Sequence, residues 1–385
     1  MTLKSRPMRK NRRRWLLFSA LLILLSGPIL FDLVSQIFEF PVVAFRALTL
    51  SSITTIPIFF FLWWLDRHEP EPLSMILVAF LWGALVATSL SVLFNTAFVL
   101  ALESHQFSAE QAELVTSMLS APIIEEITKA MALFLIYALF YEELDNRLDG
   151  LIYGGMIGLG FAWFENTTYY ITPFIKSGDS ASLYELARMF YSRGIMATLG
   201  GSHVSYTALS GAAFGLFREK KYGIIILPIG VGVAILAHFI WNAFAPYIAS
   251  LFGQGLLSYL VGLPCAVLLL QAPLLLYLST IIKESWNQES LLIWTNLKEE
   301  KRNILTLPEL QRFKNGCRVF HPLIFLASEQ KRLHNELQHL HVRLAFSKGQ
   351  HCEDPKATWS IDLDEDVVFL RNKIKILRSL LRKTS

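Results

Sequence analysis

The chain has 385 residues, of which 53% are hydrophobic and 17% are charged, and its formal net charge at pH 7 is +4. Soluble domains average about 45–50% apolar and about 25% charged residues, so this composition is typical of a membrane protein. Seven basic residues lie among the first 14 positions, and the charge that remains is too small for a nucleic-acid-binding surface. We therefore expect no nucleic-acid partner.

Charge also divides the chain along its length. Residues 284–385 contain 30 charged side chains in 102 positions, whereas the preceding 283 residues contain 36. This contrast predicts a basic N-terminus over residues 1–14, a membrane domain over residues 15–283 and a soluble helical region over residues 284–385.

Eight segments of the membrane domain are long and apolar enough to cross a bilayer. A hydrocarbon core of about 30 Å requires about 20 apolar residues in a helix. The predicted spans cover residues 15–35, 41–65, 72–102, 116–140, 150–172, 188–217, 222–249 and 254–282. The fold class is therefore all-α, a polytopic membrane helix bundle of about eight transmembrane helices with a C-terminal helical cytoplasmic region.

The orientation of these spans follows from lysine and arginine, which are enriched in cytoplasmic loops. They are concentrated in the N-terminus and in the loops at 66–71, 141–149 and 218–221. We therefore expect a multi-pass protein of the cell membrane (a plasma or inner membrane) with both termini in the cytoplasm.

The C-terminal region contains two helix-like segments, residues 324–345 and 366–382. Their apolar residues recur mostly at three- and four-residue intervals, which is the period of an amphipathic helix. We expect a small helical domain or a helical hairpin. Its basic end, from Arg371 to Lys383, is either a solvated helix face or a surface for anionic lipid.

Four predicted spans contain strongly polar side chains, although a charged residue at the centre of a span costs roughly 2.5–3.5 kcal/mol on insertion scales. These residues are Glu125, Glu126 and Lys129 in the fourth span, Glu165 and Asn166 in the fifth, His203 in the sixth, and His238 and Asn242 in the seventh. Counted from the outer ends of the spans, the carboxylates and histidines lie at similar depths of roughly 10–21 Å. This common layer predicts a functional site.

The spacing within each helix suggests how such a site works. Lys129 lies three and four residues after the two glutamates, so it can neutralise one of them and leave the other free to act. His238 and Asn242 are four residues apart and can donate to one ligand together. A glutamate that exchanges a proton with water, together with an oxyanion-binding donor pair, suffices for peptide-bond hydrolysis.

Other chemistries are less well supported by the motifs. A Gly-x-Ser-x-Gly nucleophile motif and a His-Glu-x-x-His zinc motif are both missing from the sequence. We expect no cofactor and assign no metal ligand, with a divalent metal such as zinc, held by Glu and His from different spans, as the alternative. Glu165 and Asn166 are predicted to support a histidine, and Arg193 either binds substrate or extends outward to the membrane surface.

The ordered motifs resemble those of the PrsW family of membrane proteases, a branch of the superfamily that includes the CAAX prenyl proteases and Abi proteins. In chain order they read Asp66-Arg67-His68-Glu69-Pro70-Glu71-Pro72, Glu125-Glu126-x-x-Lys129, Asp149-Gly150-x-x-Tyr153-Gly154, Gly158-x-Gly160-Phe161-x-x-x-Glu165-Asn166, His203 and His238-x-x-Trp241-Asn242. The motifs extend over roughly residues 57–250. This chain departs from the family by its tail of about 100 residues, and it has Lys129 where the CAAX branch has an arginine one position later.

The resemblance implies an intramembrane endopeptidase in which a glutamate activates water. It implies that Glu125, Glu126, His203 and His238 are catalytic and that the substrate is a membrane-bound protein, such as an anti-sigma factor. The expected partners are this substrate and the lipid bilayer, and the oligomeric state stays open.

Two other classes of function, and a purely structural role, remain alternatives at this stage. A transporter would use the buried Glu and His residues as a proton or cation relay, but the sequence has no visible repeat. A non-catalytic membrane scaffold would present the tail to a partner. In either case the polar residues could also form a network that only fixes helix packing.

Overall fold

The computed structural model describes residues 12–66, 68, 71–141, 143–177, 183–219, 222–253, 255–314, 328–352 and 365–384. Within these residues every regular element is helical, which confirms the all-α fold class. The α-helices are α1 (Arg12–Glu39), α2 (Pro41–Leu65), α3 (Leu73–Leu81), α4 (Thr88–Ser104), α5 (Ala109–Val115), α6 (Ala121–Leu139), α7 (Arg147–Ser177), α8 (Leu183–Met189), α9 (Ser202–Arg218), α10 (Ile226–Ser250), α11 (Leu263–Ala266), α12 (Ala272–Leu297), α13 (Leu307–Lys314), α14 (Glu329–Cys352) and α15 (Glu365–Thr384). π-Helical segments occupy Trp82–Ala87, Thr116–Ser120, Phe190–Leu199, Ser258–Gly262 and Val267–Gln271.

The internal contacts of the chain divide it into two units. The larger unit comprises residues up to Leu62 and residues Glu71–Ser279. The smaller comprises Trp63–Pro70 and Thr280–Ser385, and we call it the tail unit.

Five helices of the described chain are long and apolar enough to cross a membrane. They are Arg13–Glu39, Pro41–Leu65, Leu73–Ser104, Ile226–Ser250 and Ser258–Leu297. The protein is thus a multi-pass membrane protein. The three remaining predicted spans, 116–140, 150–172 and 188–217, contain most of the polar residues, so the count of eight stays a prediction.

The sixth predicted span, residues 188–217, is interrupted. A π-helical segment ends at Leu199, and α9 begins at Ser202 after Gly201, whose φ of +86° lies in the left-handed region. Residues with a Cβ rarely adopt this conformation, so glycine permits the break. As a result His203 lies in the first turn of a helix and not in the middle of one.

The last predicted span also differs in its end point. We predicted that it would end at residue 282, but α12 continues to Leu297. Hydropathy indicates where the apolar surface ends, whereas the helix itself ends where its backbone hydrogen bonds do, so a change in charge need not terminate it.

Helix α7 is largely buried within the larger unit, and its glycines explain how closely its neighbours approach. A Cβ at Gly150, Gly154 or Gly158 would overlap backbone atoms of α9, and a Cβ at Gly160 would overlap the carbonyl of Phe80 on α3. Small residues allow helix backbones in membranes to pack at short range. This packing places Glu165 of α7 beside His203 of α9.

Replacement of Gly154 by alanine is expected to lower the free energy of unfolding by about 1–3 kcal/mol, because the added methyl overlaps the backbone at Thr207. The matched control is Gly232→Ala on α10, where an added Cβ meets nothing within 4 Å. That control should be neutral or slightly stabilising. Thermal unfolding of both variants in detergent tests this expectation, and equal midpoints would contradict it.

The tail unit has a hydrophobic core of its own. Its buried residues come from α12 to α15 and from the segment between α12 and α13, and they include Ile293, Leu297, Ile304, Leu305, Phe313, Leu337, Leu340, Val342, Leu344, Val367, Leu370, Ile374, Leu377 and Leu381. The two helices predicted at 324–345 and 366–382 are observed as α14 and α15, and residues 324–327 lie outside the described part.

Polar contacts between side chains also stabilise the tail unit. Glu300 accepts hydrogen bonds from Arg371 and from Lys348, at 2.6 and 2.9 Å. Burial alone would raise the pKa of Glu300, but these hydrogen bonds hold it below its ordinary value. His68, from the loop after α2, lies 2.7 Å from the Glu289 carboxylate. The contact of His68 with Glu289 gives the loop after α2 a structural role within the unit.

The stability of the tail unit is expected to decrease as the pH falls from about 6.5 to about 4. Burial, aided by the nearby Arg343, lowers the pKa of His339 to about 4, and burial lowers the pKa of His341 in the same direction. The unfolded chain therefore binds more protons than the folded chain in this window, which costs roughly 2–3 kcal/mol for His339.

Hydrogen exchange of peptides from α14 and α15 in the full-length protein, corrected for the intrinsic effect of pH, measures this loss. The variant His339→Gln should show a weaker pH dependence than the natural protein. Equal protection at pH 7 and pH 5 in the natural protein would argue against the expected linkage.

Candidate active site

The polar residues of four helices converge inside the larger unit. Helix α6 positions Glu125, Glu126 and Lys129 on adjoining faces, because these residues are three and four positions apart. Helix α9 adds His203 and α10 adds His238. With Glu165 of α7, the two predicted histidines and three predicted carboxylates form a single connected cluster.

Glu126 is the fully satisfied carboxylate of the cluster. It has no exposed surface. One oxygen lies 2.8 Å from Lys129 Nζ and 3.1 Å from His238 Nδ1, and the other accepts a 3.0 Å hydrogen bond from Thr207 Oγ1. A carboxylate with three donors is strongly held, so Glu126 fixes the positions of its neighbours.

Glu125, which directly precedes Glu126 on the same helix, has a different environment. Its Oε2 atom is buried and makes no hydrogen bond to a described residue. It lies 3.6 Å from Lys129 Nζ and 4.0 Å from His238 Nε2. Of the two adjacent glutamates, Glu125 is therefore the one with an oxygen available to a ligand.

The hydrogen-bond partners of the histidines define their ring orientation. His203 lies with Nδ1 3.1 Å from Lys129 Nζ and Nε2 2.9 Å from Glu165 Oε2. An ammonium can only donate, so Nδ1 of His203 accepts and Nε2 donates to Glu165. His238 donates from Nδ1 to the Glu126 carboxylate, which directs its Nε2 toward Glu125.

Arg193 lies inside this network. Its guanidinium is 2.6 Å from Glu165 Oε2, donates to Asn166 Oδ1 at 3.2 Å and stacks 3.5 Å over the ring of Tyr169. Two acceptors on α7 thus hold Arg193 in this arrangement, and its binding of substrate stays a prediction. Asn166 also donates to Thr198 Oγ1 at 2.8 Å.

Asn242 is not brought into the cluster. Its side-chain amide donates to the main-chain carbonyl of Ser117 at 2.8 Å, so it does not share a ligand with His238 in this arrangement. The four-residue interval correctly predicts a common side of α10. It does not predict which neighbouring acceptor the amide meets.

Four residues of the site had been given no role from the sequence, although Phe161 is part of one of the family motifs. They are Phe161, whose ring lies 3.9 Å from Lys129 Nζ, Tyr206, which stacks on His238 with ring centroids 5.1 Å apart, Thr207, and Gln271, which hydrogen-bonds to the Tyr206 hydroxyl. The spacing contained a signal for two of them, since Tyr206 and Thr207 follow His203 by three and four residues and share its helix face. Gln271 is a buried polar residue within an apolar run, which is the signal that identified the glutamates.

One donor set in the cluster fits a metal ion chemically. Single ligand atoms of Glu125, His203 and His238 lie within 4.8 Å of one another. Two histidines and a glutamate form a donor set that catalytic zinc uses. In addition, His238 contacts the Glu126 carboxylate and His203 contacts the Glu165 carboxylate. Zinc-binding histidines commonly make such a contact with a carboxylate that does not bind the metal. The Oε2 atom of Glu125, which makes no hydrogen bond to a described residue, completes the fit.

Comparison with known proteins finds relatives of this chain. A family model described as PrsW family intramembrane metalloprotease matches residues 71–277. The chain is 29% identical to Protease PrsW of Geobacillus kaustophilus over 160 residues, which are 40% of this chain and 60% of that protein. It is 34% identical to Protease PrsW of Clostridioides difficile over 126 residues, which are 32% of this chain and 50% of that protein.

The chain thus spans about half to three-fifths of the length of these two curated relatives. No solved structure matches the chain. The family match covers more than half of the chain and includes all five carboxylates and histidines of the cluster. The chain therefore belongs to the PrsW family.

Proposed function

We propose that the protein is a membrane-embedded endopeptidase in which Glu125 activates the attacking water. The observation that carries this proposal is the contrast between the two adjacent glutamates. Glu126 accepts hydrogen bonds from Lys129, His238 and Thr207, whereas Glu125 has a buried oxygen that makes no hydrogen bond within the described part of the chain. A general base needs such an available oxygen.

In this mechanism Glu125 accepts a proton from water as the water oxygen bonds to the carbonyl carbon of the scissile peptide. The carbon–nitrogen bond then breaks, and Glu125 returns the proton to the leaving amine. Water bound between Glu125 Oε2 and His238 Nε2, which are 4.0 Å apart, would contact both side chains. Positioning of this kind lowers the entropy cost of the attack.

The oxyanion requires hydrogen-bond donors beside the carbonyl oxygen. We assign this role to Lys129, whose ammonium has no exposed surface, because the Nδ1 of His238 donates to Glu126 and its Nε2 faces the water. A buried cation stabilises developing negative charge more strongly than the same group in water. His203 orients Lys129 by accepting its hydrogen bond, and Asn242 would join Lys129 as a donor only by leaving the Ser117 carbonyl.

A metal-dependent peptidase is the second candidate, favoured by the donor set of Glu125, His203 and His238. These three residues would hold zinc, which when bound supplies a Lewis acid for water or for a carbonyl. The Lys129 ammonium, 3.1 Å from His203 and 3.6 Å from Glu125, opposes a second cation there. This opposition is why the glutamate mechanism is our first proposal.

A cleavage assay with purified protein in detergent and a single-span membrane protein as substrate tests both candidates. Activity that survives chelation and is lost in Glu125→Gln supports the glutamate mechanism. Activity that is lost on chelation and restored by zinc, with zinc found in the purified protein by elemental analysis, supports the metal mechanism. Cleavage at the natural rate by Glu125→Gln would exclude Glu125 as the base, and absence of cleavage by the natural protein would favour a scaffold or a transporter.

The substrate class and the orientation are also proposals. We infer that the substrate is a membrane-bound protein, such as an anti-sigma factor, and that the enzyme lies in the cell membrane with both termini in the cytoplasm. The concentration of lysine and arginine in the N-terminus and alternate loops supports this orientation. Reporter tags on the two termini test it.

The contacts of Arg193 lead to a prediction about a positioning residue. Replacement of Arg193 by glutamine should reduce kcat about 10- to 100-fold, because it frees the Glu165 carboxylate that orients His203. Arg193→Lys keeps a cation beside Glu165 and should recover part of the rate. Arg188→Gln is the control, since Arg188 contacts Tyr259 outside the cluster. Equal kcat values for all three variants would exclude this role.

A further inference from the structure

Helix α10 has few apolar contacts that could set its rotation. Five of its 25 residues are buried, and apart from His238 these are glycine or alanine, namely Gly230, Ala234, Ala245 and Ala249. Small side chains let helix backbones in membranes approach closely, but they provide no large side chain that interlocks with a neighbouring helix. The direction in which α10 presents His238 therefore depends strongly on hydrogen bonds to other helices.

Two hydrogen bonds join α10 to the chain in and before α6. His238 Nδ1 donates to Glu126 at 3.1 Å, and the Asn242 amide donates to the Ser117 carbonyl at 2.8 Å. Asn242 follows His238 by four residues, so the two contacts lie one turn apart on the same side of α10. One contact would let the helix pivot about a point, whereas a second contact one turn away fixes its direction.

The Ser117 carbonyl needs this donor because of the sequence around it. Ser117 lies in the π-helical segment that precedes α6, in which the Ala121 amide donates to the Thr116 carbonyl five residues earlier. In the same register the Ser117 carbonyl would pair with residue 122, which is proline and has no N–H. A helix carbonyl without a donor costs free energy where water is scarce. Pro122 thus removes the helical donor, and α10 supplies a replacement.

We propose that Asn242 is a positioning residue that holds α10 against the π-helical segment through the carbonyl that Pro122 leaves without a helical donor. This hydrogen bond keeps His238 Nε2 beside Glu125 Oε2, at the observed 4.0 Å. The inference rests on the proposed function, in which these two atoms bind the attacking water. It gives Asn242 no contact with the substrate.

Replacement of Asn242 by leucine, which has a similar volume and no donor, should lower kcat about 10- to 100-fold, because it loosens the water site. KM should change less than about twofold, since Asn242 does not touch the substrate. The matched control is Ser250→Ala on the same helix. Ser250 donates to the Tyr247 carbonyl of α10 itself, so this variant should keep the natural kcat. A rise in KM at unchanged kcat in Asn242→Leu would contradict the positioning role.

A covalent tether separates positioning from direct participation in the reaction. The full-length protein, with its three cysteines replaced by serine, carries Ser117→Cys and Asn242→Cys, which a short bismethanethiosulfonate crosslinker joins. We expect the tether to raise kcat at least about threefold over the same protein before crosslinking, and a reductant to reverse the gain. A crosslinked protein that stays as slow as Asn242→Leu would show that the amide acts on the reacting atoms and would overturn the proposal.

A stability cycle tests the contact without using activity. In the natural background Asn242→Leu leaves the Ser117 carbonyl without a donor, and the unfolding midpoint in detergent should fall by about 2–4 °C. In a Pro122→Ala background residue 122 offers an N–H to this carbonyl, so the same change should lower the midpoint less than about half as much. Comparison of the two shifts cancels the intrinsic effect of leucine.

Equal shifts in the two backgrounds would overturn the proposal even if Glu125→Gln abolishes cleavage. Failure of the proposed function gives a different pattern, in which the stability cycle shows the expected coupling while Glu125→Gln cleaves at the natural rate. The two results together therefore distinguish an error in the role of Asn242 from an error in the role of Glu125.

Discussion

Replacement of Glu125 by glutamine is expected to reduce proteolysis at least about a hundredfold and to leave thermal unfolding nearly unchanged. The loss of a general base accounts for the effect on rate. Stability should be kept because the Oε2 atom of Glu125 makes no hydrogen bond to a described residue, so the amide disrupts little. Initial rates of substrate cleavage in detergent, measured beside an unfolding curve, provide both numbers.

The matched control for Glu125→Gln is Glu113→Gln. Glu113 lies on α5 and is exposed, so the same chemical change there removes a carboxylate outside the cluster. Its rate and stability should equal those of the natural protein. Cleavage by Glu125→Gln within a few-fold of the control would contradict the assignment of Glu125 as the base.

Replacement of Glu126 by glutamine is expected to have the largest effect on stability, a loss of about 3 kcal/mol, in addition to the loss of activity. The substitution leaves the Lys129 ammonium, which has no exposed surface, without its partner at 2.8 Å. It also weakens the hydrogen bonds that His238 and Thr207 donate to this carboxylate. Thermal or denaturant unfolding in detergent measures the change.

The double variant Glu126→Gln with Lys129→Met separates the electrostatic effect from a general loss of packing. Removal of the Lys129 charge, which has lost its partner at 2.8 Å, should recover most of the lost free energy, because replacing a buried ion pair with uncharged groups is often nearly neutral. Activity should not return, since the cation assigned to the oxyanion is gone. An additive stability loss in the double variant would show that the two residues do not act as a pair.

The contrast between Glu125 and Glu126 also shows what sequence reasoning could not supply. Two adjacent glutamates followed by Lys129 are equivalent in the sequence, because the lysine lies within helical reach of both. The structure distinguishes them through α9 and α10, which bring Thr207 and His238 to Glu126. This choice depends on how neighbouring helices are rotated about their axes.

The sequence by itself determined the all-helical class and the membrane character, because its apolar segments are long enough to cross a bilayer as helices. It also indicated which polar residues belong to the site, because charged side chains within apolar segments are costly and therefore stand out. Only the tertiary structure decided which partner each polar group has. It placed Arg193 on Glu165, Asn242 on the Ser117 carbonyl and a break at Gly201. Helical periodicity specifies which residues share a face of one helix, but contacts between helices depend on crossing angles and rotations that only packing sets.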